Sequence, residues 1–377
     1  MLKRFNFDVT VTLSYQKRKC QSALGIFFNV SGPIVLEQSK GVVAKMSASI
    51  KDVALHAGVS VGTVSNVMNH PSRVSNDTVA KVQRAISTLG FVRNDAARQL
   101  RAGESKTIAM MVFDAANPFF TDIARGAEDA AAKDGFSVIL ANTSESSTRE
   151  LGYLDLFEEQ RVRGILISPY GEVEDRLQAL KKFGIPSVLV DRVSNSQVFS
   201  SVSVDDVAGG HIAASHLLSL GRRTLGFVGG PLEIPQVGDR LVGAQQAASE
   251  YQECSLRVFE TTATTVLEGR RIGEAIAAME PKERPNGLFA ANDLVALGLL
   301  QALVAANHLN VPRDIALVGY DDIDFATSAI VSLTSIRQPS QLIGETALEI
   351  LAEEALDPTQ PPQKVVFQPE LVIRASA

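Results

Sequence analysis

The sequence predicts two unlike parts: a small all-α bundle built around a helix-turn-helix, then a large α/β body whose parallel sheets form two lobes. Three observations lead there. Between Ile50 and Leu89, apolar residues recur at helical spacing in short runs. After Lys106 the pattern becomes short apolar runs alternating with helical stretches, which means βαβ units and a parallel sheet. Charge divides at the same place. Between Met46 and Lys106, Lys51, Arg73, Lys81, Arg84, Arg93, Arg98, Arg101 and Lys106 stand against only Asp52, Asp77, Asp95 and Glu104. That stretch is +4 in a chain of −6, an asymmetry expected where one small module meets phosphate.

At 377 residues, 45% of them hydrophobic, the chain can build cores for more than one domain. Cys20 and Cys254 make no disulfide framework and have no metal-ligand spacing, which fits a reducing cytoplasm. No apolar run approaches the roughly 18 residues of a membrane span. Residues 1–45 carry Lys3, Arg4, Lys17, Arg18, Lys19, Lys40 and Lys45, and their apolar stretch from Leu24 to Val30 is broken by Asn29. A secretion signal needs an uninterrupted core. We expect this segment to be disordered or a mis-assigned extension, with translation beginning at Met46.

Residues 46–92 form the predicted bundle. Ile50, Val53, Ala54 and Ala57 share one helical face. Gly58 suits a left-handed cap, and Ser60 suits the start of the next helix. Val61, Val64, Val67 and Met68 then return at helical spacing until Asn69-His70-Pro71, and a third helix is expected from Asn76 to Leu89, ended by Gly90. Gly58-Val59-Ser60-Val61-Gly62 also spells G-x-S-x-G, the turn that presents a serine nucleophile in α/β-hydrolases. That turn must follow a buried strand, whereas Lys51 to Ala57 reads as an amphipathic helix, so the match is accidental. A tight turn followed by a helix with a short polar face fits a helix-turn-helix. Beyond the hinge and linker of residues 93–106, strands are expected at 107–113, 136–141, 164–167, 186–190, 224–229, 287–291 and 315–319 in a body spanning 107–377. Helices are expected between them, at 119–132, 148–160, 209–220, 240–249 and 293–307.

Ile50-Lys51-Asp52-Val53-Ala54, Ala57-Gly58-Val59-Ser60, Thr63-Val64-Ser65 and Val67-Met68-Asn69 together resemble the N-terminal signature of the LacI/GalR family of bacterial repressors. So do Val74-Ser75, Lys81-Val82, Leu89-Gly90-Phe91, and Asn94 with Ala97-Arg98-Gln99-Leu100. The resemblance runs to near the C-terminus and implies a DNA-binding headpiece and a two-lobed, periplasmic-binding-protein-like sensor. It places Val61 to Asn69 in the major groove. Val61, Gly62 and Asn66 would then face base edges, since Asn pairs with adenine and Val touches a thymine methyl. Thr63, Ser65 and Asn69 complete the contact face, hydroxyls and the helix start suiting phosphate. Many relatives carry longer side chains at Gly62 and Arg at Asn66, so the operator sequence stays open. Asn94 to Arg101 resembles the family's hinge helix, in which Ala97 and Leu100 meet the minor groove and Leu100 wedges between base steps. Pairing with its copy implies a homodimer or a higher assembly on double-stranded operator DNA.

In an open parallel sheet, ligands sit beyond the carboxyl ends of strands. There lie Asp114, then Asn117 with Phe119 and Phe120, Asp191-Arg192, Asn292-Asp293, Asp321-Asp322 and Gln338, while Arg240 is expected to open the helix after the Gly229-Gly230-Pro231 loop. Such forked groups and rings suit a polyhydroxylated sugar. Any Asp or Asn past a strand also suits a helix cap, one of the two phenylalanines suits the core, and His211 and His216 suit packing. By resemblance, Asn117, Phe119, Phe120, Asp191, Arg192, Arg240, Asn292, Asp321 and Gln338 look most like a ribose-binding pattern, in a chain that crosses between lobes near Ser203, Ile336 and Phe367. The implied protein is a cytoplasmic repressor of carbohydrate-use genes controlled by a pentose, without membrane, metal, cofactor or catalytic residues. A nucleoside, purine or phosphorylated sugar stays open as the effector. So does a sugar-binding protein without regulatory role, against which the helix-turn-helix argues.

Overall fold

The computed structural model describes residues 48–91, 105–194 and 197–377. Residues 1–45, Met46, and the hinge positions Ala97 and Leu100 lie outside them. The chain divides into two compact units, one ending at Asn94 and one beginning at Asp95.

The first unit contains α1 (Ile50–Ala57), α2 (Val61–Asn69), a 3-10 turn (Pro71–Arg73) and α3 (Asn76–Leu89). Ser49 and Asp52 form a capping box on α1, and Gly58 ends it at φ 65°, a value that glycine adopts without strain. Ser60 Oγ then accepts from the Thr63 amide at 3.0 Å and starts α2. A short, capped turn thus sets the angle between the two helices. Val53, Ala54, Val64, Val67, Val82 and Ala85 fill the core.

In the second unit, the first lobe contains β1 (Thr107–Val112), α4 (Pro118–Lys133), β2 (Ser137–Asn142), α5 (Ser147–Glu159), β3 (Ile165–Ile167), α6 (Glu174–Lys182), β4 (Ser187–Val190) and β5 (Ser200–Val204). The second continues with α7 (Asp206–Ser219), β6 (Thr224–Gly229), α8 (Pro235–Ser249), β7 (Ser255–Glu260), α9 (Val266–Ala277), β8 (Gly287–Ala290) and α10 (Asp293–Ala305). It closes with β9 (Ala316–Asp321), α11 (Asp324–Ser328) and β10 (Thr334–Arg337). Then α12 (Ser340–Leu356) and β11 (Lys364–Phe367) return to the first lobe, and β12 (Glu370–Val372) to the second.

Each sheet has six strands, in the orders β11-β5-β4-β3-β1-β2 and β12-β10-β9-β8-β6-β7. Only β12 runs antiparallel. The chain therefore passes between lobes three times, after β5, β10 and β11. Helices cover both faces of each sheet, giving four apolar clusters, as parallel strands joined by helical crossovers require.

Helix pairs pack through reciprocal glycines. A methyl on Gly210 of α7 would stand 2.0 Å from the Arg240 carbonyl oxygen of α8, and one on Gly243 would stand 1.9 Å from that of Val207. Gly126 with Gly344, and Gly269 with Gly298, do the same for α4 with α12 and α9 with α10. Missing side chains bring these helix backbones together, and the α7–α8 contact fixes the base of Arg240.

Candidate functional site

Between the lobes lies a narrow cleft, with about 30 Å³ open to the centres of water-sized molecules. From the first lobe it is lined by Phe113, Asp114, Asn117, Phe119, Phe120 and Asp191; from the second by Ile234, Gln236, Val237, Arg240, Thr264, Asn292 and Asp321. The strand-end rule finds this place because strands of both sheets deliver their last residues to it.

Asn117 caps α4 by accepting from the Phe119 amide at 3.1 Å, and its Nδ2 donates to Asp321 Oδ2 at 3.0 Å, joining the lobes. Phe113, Phe119 and Phe120 make an edge-to-face group with centroids 4.7 and 5.1 Å apart. Both α4 rings are buried, so core and cleft readings hold together. Asn292 likewise serves twice: its Oδ1 caps α10 through Val295 at 2.9 Å while it lines the cleft.

The charged centre is built on Arg240, which lies inside α8 and does not open it, because Pro235 starts the helix five residues earlier. Its Nε donates to Asp206 at 2.7 Å and its Nη1 to the Ala291 carbonyl at 2.7 Å, and its guanidinium lies 3.7 Å from the Tyr320 ring centroid. Burial works against the cation, but Asp206 and the other acids outweigh it and raise its pKa. Asp321 Oδ1 accepts from Gln338 at 2.8 Å and lies 3.9 Å from Arg240. Burial pushes the Asp321 carboxyl up to about 6, with Arg240, Asn117 and Gln338 restraining the shift. Asp191, at φ 59°, accepts from Gln236 through its carbonyl and through Oδ2, the latter at 3.0 Å. Burial and the neighbouring Asp206 push it well above the usual carboxylate range, against the pull of Arg240. Its Oδ1 and the Oε1 of Gln338 are buried with no hydrogen-bond partner.

Arg192 is not brought into this group. It lines a separate recess with Pro169, Glu172, Glu174 and Val193, because the left-handed turn at Asp191 sends successive side chains apart. Asp293 is buried and bound by Ser335 at 2.7 Å and the Ile323 amide at 2.9 Å, and Asp322 is ion-paired with Arg337 and Arg374; neither lines the cleft. His211 pairs with Glu250 at 2.9 Å, tying α7 to α8. Sequence reasoning misses Asp206, Gln236, Thr264 and Tyr320. Asp206 stands one residue beyond Ser-Ser-Val-Ser-Val and Asp205, which offer no apolar run to mark a strand end, and Gln236 sits just inside a helix. Tyr320 belongs to β9 itself.

On the first unit, Val61, Gly62 and Asn66 are exposed along α2 while Val64 and Val67 are buried, the polarity that base reading requires. Thr63 Oγ1 lies 2.9 Å from Ser60 Oγ, and Asn69 Nδ2 donates to Ser65 at 3.2 Å. The first contact sits at the helix start, and Ser65 and Asn69, four residues apart, share the other side of the helix.

Residues 49–94 match the bacterial regulatory proteins, lacI family, and residues 214–377 match the periplasmic binding protein-like domain. The chain is 32% identical over 335 residues to the HTH-type transcriptional repressor PurR of Photobacterium profundum, covering 87% of this chain and 98% of that one. It is 31% identical over 334 residues to the ribose operon repressor of Escherichia coli K12, covering 88% and 100%. A solved LacI family transcriptional regulator from Enterococcus faecium, with bound ribose, superposes with a TM-score of 0.66 at 30% identity, over 72% of this chain and 98% of that one.

Proposed function

The chain belongs to the LacI family of bacterial regulatory proteins, and on that premise we propose that it represses carbohydrate-use genes under the control of a free pentose, ribose first. The observation that carries the effector reading is a buried surplus of acceptors. Asp191 Oδ1, on the cleft wall, lacks a donor, as does Gln338 Oε1, which stands behind the lining and is bound to Asp321; the one guanidinium near Asp191, Asp206 and Asp321 is already paired. A buried acceptor without a partner is costly, so this cleft favours a ligand rich in hydroxyl donors. A phosphorylated sugar brings the opposite: charge of the same sign and no donors on the phosphate. The rings of Phe119 and Phe120 suit the apolar face of a furanose or pyranose. The similarity to ribose-linked relatives supports the same choice.

The DNA partner is read by α2, with Val61, Gly62 and Asn66 toward base edges and Thr63, Ser65 and Asn69 toward the backbone; Ala97 and Leu100 belong to the hinge. Dimerisation is supported by the outer strands. Ile139 and Leu140 on β2, the last strand of one sheet, and Val258 on β7, the last of the other, are exposed. Apolar edges of this kind call for a cover, and a two-fold partner supplies it for both.

The test is a thermal-shift and calorimetric screen against ribose, other pentoses, hexoses, nucleosides, purines and ribose 5-phosphate. A ligand at about 100 times its Kd adds about 2.7 kcal/mol to stability. Stabilisation by ribose, with none by its 5-phosphate, is expected. Stabilisation by the phosphate or by purines alone overturns the free-pentose reading and leaves the family assignment standing.

A further inference from the structure

Asp321, Asp322 and Ile323 leave β9 as a strained bridge between the lobes. Asp321 and Asp322 have φ of 103° and 56°, two successive left-handed residues that carry a Cβ and persist only when their surroundings fix them. Toward the first lobe, Asp321 accepts from Asn117, and the Ile323 side chain is buried in the apolar cluster that contains Phe119 and Phe120. Toward the second, the amides of Asp322 and Ile323 are tied to Ser335 and Asp293 at 3.1 and 2.9 Å.

The Asp322 carboxylate touches no cleft space. It accepts a hydrogen bond from Arg337 Nε at 2.8 Å and is ion-paired with Arg374 Nη2 at 2.6 Å. Arg337 ends β10, just before the chain crosses to α12, and Arg374 stands two residues past β12, just after the last crossing. Arg374 is itself fixed by donating to the Leu333 carbonyl at 2.7 Å. One carboxylate thus fastens the bridge to two of the three interlobe passages.

We propose that Asp322 is the positioning residue of the sensor: clamped by Arg337 and Arg374, it holds Asp321 toward the effector and Ile323 in the opposite lobe, coupling cleft occupancy to the interlobe crossings. This rests on the reading of the cleft as a pentose site. Ligand binding shifts a lobe equilibrium only as far as the two states differ in their contacts, and this bridge makes contacts on both sides.

The experiment uses the full chain with Asp322→Ala, Arg374→Met, their double variant, the conservative Arg374→Lys, and Asp321→Asn as control. Ribose affinity is read by calorimetry, and operator affinity is measured with and without saturating ribose. Asp322→Ala and Arg374→Met are each expected to weaken ribose about tenfold or more, close to 1.4 kcal/mol, and to draw the ratio of the two operator affinities toward one. The double variant is expected to lose no more than either, and Arg374→Lys to keep most of the affinity. A merely structural clamp lowers the unfolding midpoint and leaves both readouts alone.

Amide exchange at Asp322 and Ile323 in the unliganded protein gives a readout that needs no effector. It is expected to quicken in Asp322→Ala while Val318 inside β9 stays protected. Ribose failing to bind the wild type removes the pentose reading, and the exchange result then decides the clamp alone. Ribose binding the wild type and weakened by Asp321→Asn, with Asp322→Ala unchanged in affinity, operator ratio and exchange, overturns the clamp.

Discussion

Arg240 holds a site that its own chemistry opposes. It is buried, as are Asp191, Asp206 and Asp321, so its removal strands carboxylates where water cannot reach them. Breaking a buried pair by deleting one partner typically costs about 3–5 kcal/mol. Arg240→Met is therefore expected to lower stability by about that much and to abolish the ribose response, with Asp206→Asn restoring part of the stability; urea denaturation of the single and double variants checks it. A loss under about 1 kcal/mol would mean that the carboxylates already take up protons at neutral pH.

The pH dependence follows from Asp321. Its pKa of about 6 in the folded protein exceeds the unfolded value of about 3.9. Between these limits the folded chain binds the proton more tightly, so stability falls as pH rises through the window and recovers as pH falls. Sugar hydroxyls stabilise the ionised form. Ribose affinity is accordingly expected to weaken as pH drops below about 6, with protons released on binding near that pH, measurable by calorimetry in buffers of different ionisation enthalpy. Asp321→Asn should remove this dependence; a variant with an unchanged profile would assign it elsewhere. Asp321 was legible in the sequence because it ends an apolar strand. Asp206, which holds Arg240, was not, since serines interrupt the strand before it, two of them held by specific bonds, Ser200 donating to Glu354 and Ser201 accepting from the Ser194 amide.

At the scale of elements, the bundle was open to sequence reading because its signals are local: a cap at Ser60, glycine stops at Gly58 and Gly90, and one apolar face per helix. The central strands were legible for a related reason. They are covered on both faces and appear as unbroken apolar runs. Strands β5, β7 and β10 escaped because polar residues interrupt them, and β11 and β12 because they are only four and three residues long and start on a charge; the pairing of all five is decided by neighbours far along the chain. The helix pairs carry a prediction that sequence alone could not give. Gly210→Ala forces a methyl against the Arg240 carbonyl, whereas Gly273→Ala forces one against Ala302 between α9 and α10. Overpacking of this kind costs about 1–3 kcal/mol. Both variants are expected to be destabilised, but only Gly210→Ala should also weaken ribose binding. Equal ribose affinities in two folded variants would show that α8 moves without carrying Arg240.

At the scale of the whole sensor, the two lobes meet through favourable and unfavourable contacts, and their balance sets how readily the cleft closes. Ile323 and the Asn117–Asp321 bond favour closure. Opposing them, Asp122 on α4 and Asp324 on α11 repel across the lobes. Burial raises the Asp122 pKa, Arg125 lowers it, and Asp324 raises it further. Neither acid lines the cleft, so changing one alters closure without altering contacts to the ligand. Asp324→Lys turns the repulsion into attraction, favouring the state that ribose selects. Tighter ribose binding, by about two- to tenfold at low ionic strength, is the expected outcome. The gain should shrink toward nothing near 1 M salt, where the Debye length is about 3 Å. A gain that persists in high salt would point to a new packing contact made by the lysine stem. No gain at low salt would mean that these acids do not govern closure, leaving the bridge of Asp321 to Ile323 to set the lobe equilibrium.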